Sequence, residues 1–150
     1  MIERVGTTRI RNFDPAAMRA ARERKGWSRG RLAVMLGVSP VAVAKWERGS
    51  STPEPPRMRL LAQLLDIDPG QLLALEPSAW SLSEHRVASG LHQADVTRTF
   101  GVAPTRLSNL ELGYEVPRPD ELEILAAAYH STTDELAAAW QRGRDRLLAD

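Results

Sequence analysis

The sequence predicts an all-α fold built from two copies of one small domain. Helix caps and helix stops recur along the chain, as in the segment VSPVAVAKWERG, where Ser39 and Pro40 can begin a helix and Gly49 can end it. No run of four or more residues alternates between apolar and polar as a half-buried strand would. A shift of 64 residues also aligns LGVSPVAVAKWERG with FGVAPTRLSNLELG without a gap. These observations favour a helical unit that occurs twice.

The internal repeat sets the predicted domain boundaries. Its coincidences are mainly glycine, proline and apolar residues, such as the pairs Gly37 and Gly101, Pro40 and Pro104, and Gly49 and Gly113. A fixed period of this length indicates two copies of one structural unit. We expect an N-terminal arm over 1–13, a first domain over 14–76, a linker over 77–80 and a second domain over 81–150. Only 22 residues lie outside the two copies, so we expect no small-molecule effector domain.

Each copy is expected to contain five helices. The predicted helices of the first copy run from Asp14 towards Gly26, from Ser28 to Gly37, from Ser39 to Gly49, from Pro55 to about Leu65, and from Asp68 to about Leu75. The second copy repeats this plan, with capping-box spacing at Ser81 and Glu84 and again at Thr132 and Glu135. Its last helix is predicted to continue further than the last helix of the first copy.

The composition excludes several classes of function. The chain has no cysteine, and His85, His92 and His130 lack the spacing of metal ligands, so neither a metal nor another cofactor is expected. No apolar run approaches the ~18 residues of a membrane span, and the N-terminus lacks a signal-peptide pattern. No nucleophile constellation or phosphate-binding loop is evident either. We expect a cytoplasmic protein that is not an enzyme.

Two long segments carry a family resemblance. RERKGWSRGRLAVMLGVSPVAVAKWERGSSTPEPPRMRLLAQLLDI resembles the helix-turn-helix of the Cro and phage-repressor type, also called the xenobiotic response element type. RVASGLHQADVTRTFGVAPTRLSNLELGYEVPRPDELEILAAAYHS resembles it more loosely. The resemblance implies two tandem five-helix domains like that of lambda repressor. It also implies that the chain binds double-stranded DNA as a sequence-specific transcriptional regulator, a repressor.

The resemblance further implies a structural ion pair in each copy. The family joins an arginine of the first helix to the glutamate that ends the third, and both partners occur here, as Arg22 with Glu47 and as Arg86 with Glu111. A guanidinium and a carboxylate can satisfy each other where they are partly buried. We therefore interpret both pairs as structural. Trp46, which directly precedes Glu47, is interpreted as a core residue.

The resemblance assigns the residues that face DNA. In the first copy these are Arg29, Ser39, Pro40, Val41, Ala42, Lys45 and Arg48, and in the second copy they are Gln93, Pro104, Thr105, Arg106 and Asn109. The third helix of the first copy offers few hydrogen-bonding groups, since Val41 and Ala42 can contact little beyond a thymine methyl. In the second copy, Arg106 could bind guanine and Asn109 could bind adenine. Arg29 and Gln93 are expected at the phosphate backbone.

Charge is divided unequally between the copies. Residues 1–75 hold 13 Lys and Arg against 7 Asp and Glu, whereas residues 76–150 hold 7 against 12. The first copy should therefore supply most of the affinity for phosphate. Arg4, Arg9 and Arg11 precede its first helix and form either a minor-groove arm or a solvated tail.

Three hypotheses follow for the function. In the first, both copies bind DNA, the basic copy supplying backbone affinity and the second copy polar base contacts. In the second, only the first copy binds DNA, and the acidic copy is a dimerisation or protein-docking module with an adaptor or antitoxin-like role. In the third, the chain is an adaptor with little affinity for DNA.

The last helix suggests a way to dimerise. Leu136, Trp140, Leu147 and Leu148 recur on approximately one side of it. An exposed apolar stripe would seek a partner, which predicts a homodimer through this helix. The alternative is that the stripe folds back on the other copy.

Overall fold

The computed structural model describes residues 10–149 and divides the chain into two compact units, with the boundary between Ala74 and Leu75. The prediction of an all-α fold with two domains in tandem is confirmed. Within residues 10–149 there are nine α-helices and no strand, and the one β-bridge, between Phe13 and Leu73, is isolated.

Over residues 10–74, the first domain contains four α-helices and one 3₁₀-helix. They are α1 (Pro15–Arg24), α2 (Arg29–Leu36), α3 (Pro40–Arg48), α4 (Pro55–Leu65) and the 3₁₀-helix Pro69–Leu72. The fifth predicted helix is thus a short 3₁₀ turn that does not reach Leu75. Its chain becomes extended at Leu73 because Ala74 donates to the Asn12 carbonyl at 2.7 Å and Asp14 donates to the Leu72 carbonyl at 2.8 Å. These bonds tie the end of the domain to its beginning.

Side-chain caps fix where α1, α2 and α3 begin. Asp14, Ser28 and Ser39 each accept a hydrogen bond from a backbone N–H three residues on, at 3.1, 3.0 and 3.1 Å respectively. Gly37 ends α2 with φ 72°, a left-handed conformation that a residue with a Cβ rarely adopts. The sharp turn between α2 and α3 follows from these local signals.

The core of the first domain is formed by side chains from all of its helices, including α3. Its fully buried large side chains come from every helix of the domain and are Met18, Leu32, Val43, Met58, Leu61 and Leu72. Trp46 is also buried, with 7% of its surface exposed, as expected of a core residue. One face of α3 is therefore fixed in the core, and the opposite face is left to solvent.

The second domain repeats this plan and extends it. A 3₁₀-helix, Pro77–Ala79, precedes α5 (Leu82–Ala88), α6 (Gln93–Phe100), α7 (Pro104–Leu112), α8 (Pro119–Ala128) and α9 (Thr133–Ala149). Buried residues from all five α-helices form one core, which includes Leu82, Val96, Leu107, Leu110, Leu125 and Leu136. Trp80 is buried in this domain too, and its indole donates to the Leu75 carbonyl at 3.0 Å.

The long helix α9 packs directly on the end of α7. A Cβ added to Gly113, where φ is 85°, would lie 2.8 Å from Arg144 Cα, so the contact needs a glycine. Leu136 is fully buried, and Trp140 packs against the same core and donates to the Glu115 carbonyl at 2.9 Å. The expectation of an exposed Leu136 and Trp140 stripe is therefore corrected: these side chains are used within the second domain. Leu147 is half-buried, and Leu148 remains exposed.

Candidate nucleic-acid interface

The buried ion pair of the first domain holds α1, α2 and α3 together. Arg22 donates through Nε and Nη2 to the two carboxylate oxygens of Glu47, at 2.6 and 3.0 Å, and through Nη1 to the Trp27 carbonyl at 2.7 Å. Burial works to raise the pKa of Glu47, but the hydrogen bonds from Arg22 and Arg29 outweigh it, so this pKa lies below its ordinary value. The carboxylate stays ionised and anchors the base of α3.

The second domain contains the equivalent pair. Arg86 donates to Glu111 through Nε at 2.7 Å and through Nη2 at 3.3 Å, and its Nη1 donates to the Leu91 carbonyl at 2.8 Å. The structure thus brings together both predicted pairs with the same geometry. The first three helices of the two domains are therefore held together by the same ion pair.

The residues expected at the phosphate backbone also contact these glutamates. Arg29 donates through Nε to Glu47 at 3.0 Å while 45% of its side chain is exposed, and Gln93 donates to Glu111 at 2.9 Å. In the first domain, further cations surround the start of α2. Lys25 and Arg31 lie 5.6 and 5.5 Å from the centre of the Trp27 ring.

The second domain lacks these cations at the start of α6. The positions equivalent to Lys25, Trp27 and Arg31 are Ser89, Leu91 and Asp95. Asp95 accepts a hydrogen bond from Arg98 at 2.9 Å. Only the first domain therefore presents a cluster of cations beside the positive end of its second helix.

The outward face of α3 is open to solvent. Ser39, Pro40, Val41, Lys45 and Arg48 are exposed, and Ala42 is half-buried. The Ser39 hydroxyl caps the helix by accepting from the Ala42 N–H. Lys45 and Arg48 are the two basic residues of the last turn of α3.

The outward face of α7 is occupied by carboxylates of its own domain. Arg106 donates to Glu121 at 2.8 and 2.7 Å, to the Val116 carbonyl at 2.9 Å, and also to Glu115. Its hydrogen bonds lower the pKa of Glu121 to about 2. Asn109 donates its amide to Glu115. Pro104 and Thr105 are exposed, but the two predicted base-reading side chains are engaged in this ionic network.

Glu115 and Glu121 are the residues that the sequence reasoning missed. The signal was present in the repeat, because the equivalent positions in the first domain are Ser51 and Arg57. Acidic residues therefore replace a neutral and a basic residue beside the third helix. The equivalent of Arg106 is Ala42, so the arginine and its two carboxylates occur together in the second copy only.

The end of the third helix also differs between the copies. Leu112, Tyr114 and Val116 expose 46, 59 and 62% of their surfaces. The equivalent positions in the first domain are Arg48, Ser50 and Thr52. At these three positions the second domain exposes apolar side chains where the first has a cation and two hydroxyls.

The predicted minor-groove arm lies mostly outside the described residues. Arg11 is exposed ahead of α1, and Arg4 and Arg9 lie outside the described residues. Among residues 10–149, no group of three or more histidines and carboxylates could hold a metal ion. Within the same range, no helix is long and apolar enough to cross a membrane.

Comparison with protein families identifies both domains. Residues 18–72 match the helix-turn-helix family of Cro and C1 type, and residues 79–140 match a second family described as a helix-turn-helix domain. The chain therefore contains two helix-turn-helix domains in tandem. Families of this kind are typically non-enzymatic DNA-binding regulators. Comparisons with curated proteins and with solved structures found no match.

Proposed function

We propose that this protein is a DNA-binding transcriptional regulator in which the first domain makes the principal contacts with DNA. One observation carries the proposal. The outward face of α3 is open and flanked by cations, whereas the polar side chains of α7 are already bound by Glu115 and Glu121. This supports the second of the three hypotheses over the first. A protein that acts on DNA in this way is expected in the cytoplasm, at the nucleoid.

The start of α2 supplies contacts to phosphate. Lys25, Arg29 and Arg31 lie around the N-terminus of this helix, where unpaired backbone N–H groups and the helix dipole also favour an anion. Arg29 can donate to a phosphate with its exposed nitrogens while Nε remains on Glu47. These contacts position the domain but carry no sequence information themselves.

The face of α3 then lies in the major groove. Lys45 is the residue of this face that can donate to guanine, and Val41 with Ala42 can contact thymine methyl groups. Arg48 lies in the last turn of α3, and we expect it to bind phosphate. With so few polar side chains, much of the selectivity comes from the shape and deformability of the DNA.

The second domain is poorly suited to the same role. For Arg106 to reach a base, it would have to leave Glu121, which is only 5% exposed and would keep Arg118 alone as its partner. Losing the two-pronged arginine contact of a buried carboxylate is costly. Residues 76–150 also hold five more acidic than basic side chains, which repel phosphate. We assign this domain to protein docking. Repression follows if the bound first domain covers a promoter.

A matched pair of variants tests the proposal. Val41 and Thr105 are equivalent exposed residues in the first turns of α3 and α7, so Val41→Asp and Thr105→Asp place the same charge at the same position of the two domains. An aspartate in the first helical turn is favourable to the helix, which keeps both variants folded. Binding is measured for the full chain on a pool of random duplexes, across a salt titration.

We expect Val41→Asp to weaken DNA binding by at least about tenfold and Thr105→Asp to change it by less than about twofold. Arg29→Ala should also lower the slope of log affinity against log salt by about one, the value for one lost phosphate contact. The reverse order of the two aspartate variants would assign DNA binding to the second domain. No binding by the unmodified chain at low salt would favour the adaptor hypothesis.

A further inference from the structure

The exposed apolar side chains of this protein are concentrated in two short segments. Eight large apolar side chains are exposed within residues 10–149. Three lie in residues 29–48 of the first domain, and three lie in residues 112–123 of the second. Those of the first segment are Val34, Met35 and Val41, and those of the second are Leu112, Tyr114 and Val116. We call these segments the basic face and the acidic loop.

The two segments have opposite charge. The basic face carries four cations and one carboxylate: Arg29, Arg31, Lys45, Arg48 and Glu47. The acidic loop carries four carboxylates and one cation: Glu115, Asp120, Glu121, Glu123 and Arg118. Each therefore combines three exposed apolar side chains with an excess of charge of one sign. The net charge of the basic face is plus three, and that of the acidic loop is minus two once Arg106, which pairs with Glu115 and Glu121, is included. Charge complementarity of this kind steers association and fixes its orientation.

We infer that the acidic loop is a docking surface for the basic face of a second copy of this chain. Every chain has both surfaces, so two chains can close a dimer with two identical contacts, each between the second domain of one and the first domain of the other. Apolar contact at the centre with opposite charges around it is the usual anatomy of such an interface. Because opposite charges are part of the contact, the dimer is favoured at low salt.

Dimerisation then competes with DNA. The basic face contains Val41 and Lys45, which the proposed function places in the major groove, so a chain whose basic face is covered cannot bind there. This competition rests on the proposed function, but the association itself does not. DNA acts as the stronger polyanion and releases the acidic loop.

Exchanging residues between equivalent positions of the two domains provides the test. Tyr114→Ser with Val116→Thr gives the acidic loop the residues of the first domain, and Met35→Thr with Val41→Thr gives the basic face those of the second. Both double variants preserve charge and use residues that the same fold position already holds. Leu148→Ser removes an exposed apolar side chain outside both segments and is the control.

Sedimentation velocity of the full chain at about 100 µM supplies the measurement. We expect the unmodified chain and Leu148→Ser to dimerise at about 50 mM salt and to dissociate at about 500 mM. Each double variant should weaken association at least about tenfold, and a mixture of the two should form a heterodimer, because one intact pair of surfaces remains. A random-sequence duplex should dissociate the unmodified dimer.

Three outcomes would overturn the inference: a chain that stays monomeric at low salt, a dimer that survives in the acidic-loop variant, or one that survives in the basic-face variant. The last would mean that acidic loops pair with each other. Failure of the inference is distinct from failure of the proposed function. A monomeric chain whose DNA binding is lost in Val41→Asp refutes only the docking, whereas a salt-sensitive dimer without DNA affinity refutes only the proposed function.

Discussion

The third helix of each domain has one face buried in its own core, an Arg–Glu ion pair and a left-handed glycine at its end. The outward faces of the two helices nevertheless differ. On α3 the exposed residues are open to solvent, while on α7 Arg106 and Asn109 are bound by Glu115 and Glu121. Two carboxylates beside a helix are thus enough to change what its surface offers. A helix-turn-helix can keep every structural residue and still present a different surface to its partners, so the fold alone does not define its DNA contacts.

The largest expected effect concerns the contact between α7 and α9, which the first domain lacks. Gly113→Ala should destabilise the second domain by about 3 kcal/mol. This combines about 1–2 kcal/mol for an alanine in the left-handed conformation with the cost of its Cβ against the Arg144 backbone. Differential scanning calorimetry of the full chain measures the loss.

Two glycines serve as controls for this prediction. Gly49 is the equivalent residue of the first domain, where an added Cβ would lie 3.5 Å from the Pro15 side chain, and Gly101 has φ 73° with no atom within 4 Å. Alanine at either should cost only the conformational part, about 1–2 kcal/mol. Equal destabilisation by all three variants would show that α9 does not press on the end of α7.

A smaller effect concerns pH, which should change the stability of the second domain but not that of the first. Burial lowers the pKa of His85, while Glu135 at 3.4 Å acts in the opposite direction, and no histidine precedes residue 85. Below its ordinary pKa of about 6.5, His85 binds a proton more readily in the unfolded chain than in the folded one. The second domain therefore loses stability as the pH falls through that value, by about 1.4 kcal/mol for each unit of pKa depression.

Hydrogen exchange between about pH 7.5 and 5.5 resolves the two domains and checks this prediction. The His85→Gln variant should remove most of the pH dependence of the second domain, whatever its effect on stability at neutral pH. A first domain that loses stability in parallel would assign the effect to other groups.

The smallest expected effect comes from a substitution that makes the surface of α7 more similar to that of α3. Glu115→Ser installs the residue of the first domain, releases Asn109 and leaves Arg106 bound to Glu121. Affinity of the full chain for a random duplex should rise about threefold at low salt, since one repulsive charge is lost and a donor is gained. Fluorescence anisotropy is sufficient to measure it.

Glu123→Ser removes the same charge from an exposed position of α8 and is the matched control. It should raise the affinity less than Glu115→Ser does. If both variants raise the affinity equally, net charge alone explains the different DNA affinities of the two domains. The hydrogen bonds of α7 would then be irrelevant to DNA binding.

Much of the fold could be predicted because its signals are local. The caps at Asp14, Ser28 and Ser39 and the glycine stops are written within a few residues of the helix ends that they set. The fifth helix of the first domain was the exception. Asp68 and Pro69 begin a 3₁₀-helix as readily as an α-helix, and its early end depends on backbone pairing with residues 12–14, about 60 positions away.

The candidate site was predicted less completely, for the same reason. Register along α7 places Arg106 and Asn109 on its outward side, but their partners come from the following loop and from α8. Likewise, apolar spacing on α9 indicates that Leu136 and Trp140 share a buried side but does not say what buries them. Both answers depend on contacts between elements, which helical periodicity alone does not specify.

The placement of α9 also bears on the order in which the domains are completed during synthesis. The first domain has its closing bonds, between residues 12–14 and 72–74, as soon as residue 74 has left the ribosome. Near the start of the second domain, the carbonyls of Ala79 and Trp80 accept from Arg146 at 2.7 Å and from Arg142 at 2.8 Å respectively. Its first residues therefore wait for nearly the whole domain to be translated. The nascent chain spends that interval with a finished basic domain and an unfinished acidic one.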